Sequence, residues 1–309
     1  MGIISYAQNF EDIMLWRALG HVQNGFYIDA GAADPEIRSV TRAFYERGWC
    51  GVNIEPVPEF VRRLKEMRPR DVTIAAAVGE RRGSGRFFLV SSDRISEMST
   101  LNESTARALQ LSAWKVEETE VPVISLGDIC RQHVIEPIHF LKVDVEGAER
   151  ELLLGADFQA FRPWVVLVEA TKPMTPEPNY ENWEPVLLDS DYRFVWFDGL
   201  NRFYVASERF DELSPAFRLP PNVFDEFVVD RPDLREQVAL LERTVATLST
   251  ALEEARFSCV AAEAQVSQLT RFAAELERLR SQLRWESGPR ALRVLLPVAR
   301  LARHIVCDG

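Results

Sequence analysis

Apolar positions change their period along the chain. From residue 1 to about 230, short β-rich apolar runs alternate with helical patterns, the signature of βαβ units and a mostly parallel sheet. Phe26-Tyr27-Ile28-Asp29 predicts the first strand, and Thr41 to Arg47 a helix ended by Gly48. Gly51 to Glu55 predicts the second strand, stopped by Pro56, and Glu59 to Met67 the next helix. Val72 to Val78 predicts a third strand, with Arg86 to Val90 as an edge strand. Ile138 to Val143 predicts the fourth, Glu149 to Leu154 a helix stopped by Gly155, and Val165 to Glu169 the fifth. Phe194 to Phe197 and Arg202 to Val205 bracket Asp198-Gly199-Leu200-Asn201, a hairpin.

Beyond about 234 there is no Gly or Pro until Gly288. Val238, Leu241, Val245, Leu248, Leu252, Ala255, Cys259, Ala262, Val266 and Leu269 recur with three-four spacing, a heptad seam. Two successive three-residue steps then make a stammer, and Leu276, Leu279 and Leu283 continue from a shifted origin. The division expected is 1–230 as an α/β domain, 231–286 as a coiled-coil helix and 287–309 as a basic amphipathic helix. A straight helix over 238–283 spans about 70 Å, and the seam predicts a homo-oligomer joined through 238–283. In the last segment Arg290, Arg293, Arg300, Arg303 and His304 share a sector of roughly 140° at about 100° per residue. Residues 288–306 are therefore expected to touch an anionic membrane surface.

The net charge of −11 over 309 residues disfavours a nucleic-acid partner. No run is apolar enough to span a membrane, and the N-terminus lacks the pattern of a signal peptide. Cys50, Cys130, Cys259 and Cys307 are scattered, without metal spacing, which suits free thiols in a reducing compartment. The expected location is cytoplasmic, in peripheral contact with the inner face of the membrane through the tail.

Three local signals carry chemistry. Asp29-Ala30-Gly31-Ala32-Ala33-Asp34 ends a strand in an acid and a small-residue turn, where ligands of open α/β sheets bind. One glycine in that turn, in place of GxGxxG, suits a ligand without a pyrophosphate, such as S-adenosylmethionine. Asp29 would favour its positive parts. Glu55, 24 residues after Gly31, is placed to accept hydrogen bonds from ribose hydroxyls, a geometry shared with nicotinamide enzymes. Lys142, Asp144 and Glu146 alternate along the fourth strand, on one face. A carboxylate there can take a proton from an attacking hydroxyl; Asp144 is the favoured base, with Glu146 and Glu169 as rivals. Together the three carboxylates could instead hold a divalent cation, which is not favoured.

The ordered set Ser5 to Asp12, Ile28 to Gly31, Gly48 to Gly51, Ile54-Glu55-Pro56, Ser99-Thr100-Leu101 and Lys142 to Glu149 resembles the FkbM-type methyltransferases over about 5–206. The resemblance implies a seven-stranded sheet that binds S-adenosylmethionine, and methylation of a hydroxyl oxygen on a small molecule or sugar. By position it assigns Asp29, Gly31, Glu55 and Pro56 to the cofactor, and Gln8 and Asp12 to an N-terminal motif counted with them. The loop from Lys172 to Trp183 follows the fifth strand; Tyr180, Trp183 and the turn from Asp198 to Arg202 are expected to form a shelf for a sugar ring. Trp285 to Arg293 resembles tails of bacterial enzymes of surface-polysaccharide assembly, which implies a glycan acceptor. Two other readings stand beside this one: a nicotinamide-dependent oxidoreductase, and a non-catalytic scaffold working through its coiled coil.

Overall fold

The structure is a computed structural model, and it describes residues 2–91, 99–111, 114–134, 137–173, 175–255 and 262–287. The segment expected as a basic amphipathic helix, 288–306, lies outside them, as do Cys259 and Cys307. The chain divides into two compact units. One is Ser5–Asp225; the other joins Met1–Ile4 to Glu226–Gly309.

The larger unit is a doubly wound α/β fold. Its strands are β1 (Phe26–Ala30), β2 (Cys50–Ile54), β3 (Val72–Ile74), β4 (Ala77–Gly79), β5 (Gly83–Ser91), β6 (Lys115–Ser125), β7 (Phe140–Val143), β8 (Val165–Glu169), β9 (Tyr192–Phe197) and β10 (Asn201–Ala206). Seven of them form one sheet in the order β9-β10-β8-β7-β1-β2-β3. Only β10 runs against the rest: it pairs antiparallel with both β8 and β9, while the other pairings are parallel. The central strands β1, β2, β7 and β8 are buried nearly throughout, as a sheet covered on both sides requires. Along β1, Tyr27 packs into a cluster with Phe44, Trp49, Phe140 and Leu167, and Ile28 into another with Val52, Leu141, Val166 and Tyr204.

The helices of this unit include α1 (Glu11–Leu19), α2 (Arg42–Tyr45), α3 (Pro58–Met67), α4 (Glu103–Leu111), α5 (Leu126–His133), α6 (Glu149–Leu154) and α7 (Glu184–Leu188). The expected helix from Thr41 to Arg47 contracts to the single turn α2. The expected strand Val72 to Val78 is two strands. After Ile74 the chain turns, Ala76 N–H donating to the Ile74 carbonyl (3.1 Å), and β4 leaves for a second sheet of order β4-β6-β5. There the expected edge strand lengthens to β5, paired antiparallel with β6. The sequence Lys115 to Glu120 in β6 carries no apolar face that would announce a strand; its first half is largely exposed and is paired with β5.

The second unit corrects the expected long C-terminal helix. Among the described residues it holds two helices, α8 (Pro232–Ala255) and α9 (Ala262–Ser287). Leu234 and Val238, early in α8, are buried with Leu276 and Leu279, late in α9, and Leu241 and Leu283 pack against them. The two helices are therefore antiparallel, and this part of the apolar seam is covered within one chain. The buried Arg280 guanidinium lies 3.7 Å from Glu242. Among the described residues no helix is long and apolar enough to cross a membrane.

Placing a carboxylate at Leu276, 4% exposed, would bury a charge in this four-residue cluster. Leu276→Asp is expected to lower the helical far-ultraviolet signal while the thermal transition of the larger unit persists. A single transition that moves as a whole would show that the two units do not melt separately.

Candidate active site

The order of the sheet reverses direction between β1 and β7, and ligands of open α/β folds bind outside the carboxyl ends of strands at such a point. A cavity of about 690 Å³ opens there. Of the residues assigned from sequence, Gln8, Asp29, Gly31, Glu55, Pro56, Lys142, Asp144, Glu146 and Glu169 line it, and Asp12 does not.

On the β1–β2 side, the turn after β1 determines the shape. Gly31 has a positive φ of 78°, and a methyl group on it would overlap the Asp144 carbonyl oxygen. Its missing side chain thus serves a close approach of two strand ends, where the sequence suggested a close approach to ligand. Glu55 is buried, and its two oxygens accept from Ala33 N–H (2.9 Å) and Val57 N–H (2.8 Å). It ties the β1 turn to the start of α3. Burial pushes its carboxyl up to about 7, against the pull of those two N–H groups. Asp29 accepts from Thr41 Oγ1 (2.8 Å) through one oxygen; the other is buried, accepts no hydrogen bond and lies 3.5 Å from Lys142 Nζ. Behind Thr41, the buried Arg68 donates to Thr41 Oγ1 and Ser39 Oγ, each at 2.6 Å. This support for Asp29 had no sequence signal, because Arg68 stands at a helix end that reads as solvent-facing.

The β7–β8 side is acidic. Lys142, 12% exposed, donates to the Gly31 carbonyl (2.8 Å) and lies 3.2 Å from Asp144. Burial works against its charge, but Asp144 and Asp29 outweigh burial and raise its pKa. Strand alternation does not deliver Glu146, since β7 ends at Val143. A left-handed step at Glu146 (φ 53°) and Gly147 (φ 98°) does so, with the Glu146 carbonyl accepting from Thr100 Oγ1 at 2.6 Å. Carboxylate oxygens of Asp144, Glu146 and Glu169 lie within 4.8 Å of one another. Glu169 is pushed well above the ordinary carboxylate range by burial, then by Asp144 and Glu146.

The remaining wall joins the N-terminal segment to the hairpin turn. Glu11, 3% exposed, accepts from Asn201 Nδ2 (2.9 Å) and Asn9 N–H (2.8 Å), and Asn9 Nδ2 donates to the Asp198 carbonyl (3.0 Å). Burial, then Asp198, pushes Glu11 up to about 8. Sequence reasoning passed over Glu11 in favour of Asp12, its neighbour in the same motif; only the hairpin, 190 residues away, makes the difference. Asp12 is buried and accepts from Ser5 Oγ (2.7 Å), Tyr6 N–H (2.7 Å) and Ala7 N–H (3.2 Å), so it shapes the segment that presents Gln8. Of the expected shelf, Asp198 to Asn201 line the cavity. Trp183 is instead fully buried in the core, and Tyr180 lies under the Arg202 guanidinium, outside the cavity lining.

The model of the methyltransferase FkbM domain matches residues 29–194, just over half of the chain. The chain belongs to the FkbM methyltransferase family. No curated protein matches it. Among solved structures it is similar to the FkbM methyltransferase of Methylobacillus flagellatus, with 15% identity and a TM-score of 0.38 over 63% of this chain and 47% of the other. The chain thus spans under half the length of that relative. It is similar also to a TehB-like SAM-dependent methyltransferase of Corynebacterium glutamicum (9% identity, 63% and 87% covered, TM-score 0.33). A third is Aeropyrum pernix fibrillarin in complex with S-adenosylmethionine (12%, 62% and 73%, 0.32).

S-adenosylmethionine is the cofactor of this FkbM methyltransferase domain, and the residues present fit it. The space beside Gly31 is filled by the Asp144 carbonyl. The buried, unsatisfied oxygen of Asp29 and the carboxylate of Glu55 suit a ligand with positive charge and ribose hydroxyls, and Val57, Phe60 and Phe87 supply an apolar flank. Family membership sets the nicotinamide reading aside. Glu55→Ala is expected to weaken S-adenosylmethionine binding by about 1.5–3 kcal/mol in calorimetry, the worth of charge-assisted hydrogen bonds. Unchanged affinity in a folded variant would remove Glu55 from the ribose.

Stability carries the mark of the same burial. Glu11, Glu55 and Glu149, raised by burial to about 8, 7 and 7 from 4.5, keep protons in the folded chain where the unfolded chain has lost them. Folding then binds protons, so the stability these groups contribute is full below about 4.5 and is lost as pH rises through 7 to 8. The melting temperature is expected to fall between about pH 5 and pH 8, and less steeply in Glu149→Gln. A melting temperature that rises over this interval would contradict the assignment.

Proposed function

We propose that this FkbM methyltransferase transfers a methyl group from S-adenosylmethionine to a hydroxyl oxygen of a saccharide or related small molecule, in the assembly of a surface glycan. The convergence of Asp144, Glu146 and Glu169 on the cavity that holds the cofactor residues carries this reading. When bound, S-adenosylmethionine supplies a methyl group made electrophilic by its sulfonium. An acceptor hydroxyl is a poor nucleophile until its proton is taken, and Asp144, whose side chain is 30% exposed, is open to it as general base. Orientation of the acceptor falls to the polar wall of Gln8, Glu11, Asp198 and Asn201, suited to a hydroxyl-rich ring.

The spacing of the three carboxylates supports a second reading, in which they gather a divalent cation that lowers the pKa of the hydroxyl.

The test is incubation of the protein with methyl-labelled S-adenosylmethionine and a panel of saccharides, followed by mass spectrometry. A gain of one methyl group on a sugar oxygen is expected; label on nitrogen or on protein would overturn the reading. Asp144→Asn is expected to bind S-adenosylmethionine still and to lower turnover by about 10²-fold. Turnover lost in chelator and restored by Mg²⁺ would favour the second reading over the first.

A further inference from the structure

The pairing of β1 with β7 sets Asp29 opposite Lys142 in the register. From there the Lys142 ammonium meets three oxygens: the Gly31 carbonyl at 2.8 Å, Asp144 Oδ2 at 3.2 Å and Asp29 Oδ1 at 3.5 Å. The carbonyl takes a hydrogen bond from it, the two carboxylates face it as charges, and the ammonium lines the cavity. What it contributes to the cavity is charge. One positive group stands between two carboxylates, at the junction of the cofactor turn and the end of β7.

Charge at this place has a consequence for methyl transfer. The methyl group leaves with its bonding pair retained by sulfur, so the sulfonium becomes a neutral thioether as the acceptor oxygen gains the methyl and loses its proton. The cofactor enters with a positive sulfur and leaves as S-adenosylhomocysteine, whose sulfur is neutral. A wall with two uncompensated carboxylates would hold the sulfonium too well relative to the transition state, where its charge is already fading, and binding the ground state more tightly does not speed the reaction.

We propose that Lys142 is a positioning residue that sets the preference of the site between the sulfonium cofactor and its thioether by-product, by cancelling one of the two carboxylate charges of Asp29 and Asp144. This rests on the assignment of S-adenosylmethionine to the cavity. The charge of Lys142 acts through its two carboxylate partners and through the Gly31 turn it braces.

Titration calorimetry of the full chain with S-adenosylmethionine and with S-adenosylhomocysteine measures that preference without any acceptor. In Lys142→Met the ratio of the two affinities is expected to move about tenfold toward S-adenosylmethionine, as loss of a nearby positive charge at a partly screened site implies. Lys142→Arg keeps the charge and is expected to restore most of the parent ratio. Asp144→Asn removes the opposite charge and is expected to move the ratio the other way. A change that weakens both ligands by the same factor, or one that moves the ratio in the same direction in Lys142→Met and Asp144→Asn, would overturn the proposal. If circular dichroism shows that Lys142→Met does not fold, Asp144→Asn decides alone, and an unmoved ratio there is the overturning result. A parent protein that binds neither nucleoside would instead remove the cofactor assignment, and the proposal with it.

Discussion

Everything in the site depends on the parallel pairing of β1 with β7, which brings Asp29 and Asp144 to one place and inserts Lys142 between them. Two carboxylates and an ammonium on a largely buried wall are costly in isolation and tolerable as a hydrogen-bonded set. The same pairing runs the β1 turn so close over the Asp144 carbonyl that only glycine fits at Gly31. One constraint thus accounts for the backbone of the turn, the placement of the lysine and the meeting of the cofactor side with the acidic side.

Around this knot the protein concentrates buried acid. Glu11, Glu55, Glu149 and Glu169 are all raised by burial. Three of them have a local use: Glu55 joins the β1 turn to α3, Glu149 accepts from Gly147 N–H and so holds that turn, and Glu11 links the N-terminal segment to the hairpin. The cost in stability is concentrated where the cavity opens, the usual relation between a preorganised site and the fold that bears it.

The tail follows another logic. An apolar stripe must be covered, and a partner chain or a second stretch of the same chain will serve equally well. Here Leu234 and Val238 find Leu276 and Leu279 within the chain, and the apolar positions from Ala262 to Leu283, the stammer included, lie on the second helix.

Sequence alone determined what is local or periodic. The strands β1, β2, β7 and β8 were legible because each is a short apolar run closed by an acid, Gly or Pro. The family motifs carried Asp29, Gly31, Glu55 and the Lys142–Glu146 run to the cavity. The tertiary structure decided what depends on distant partners. The charged half of β6 is paired as a strand by β5. Trp183 belongs to the core and not to a sugar shelf, because α7 packs its first turn inward against Tyr204. Asp12 and Glu11 are adjacent in one motif, yet one is satisfied by residues 5–7 and the other faces Asn201 across the cavity. Side-chain chemistry is written in the residues, but which of two neighbouring carboxylates meets the cavity is set by the direction of a helix and by a hairpin nearly two hundred residues away.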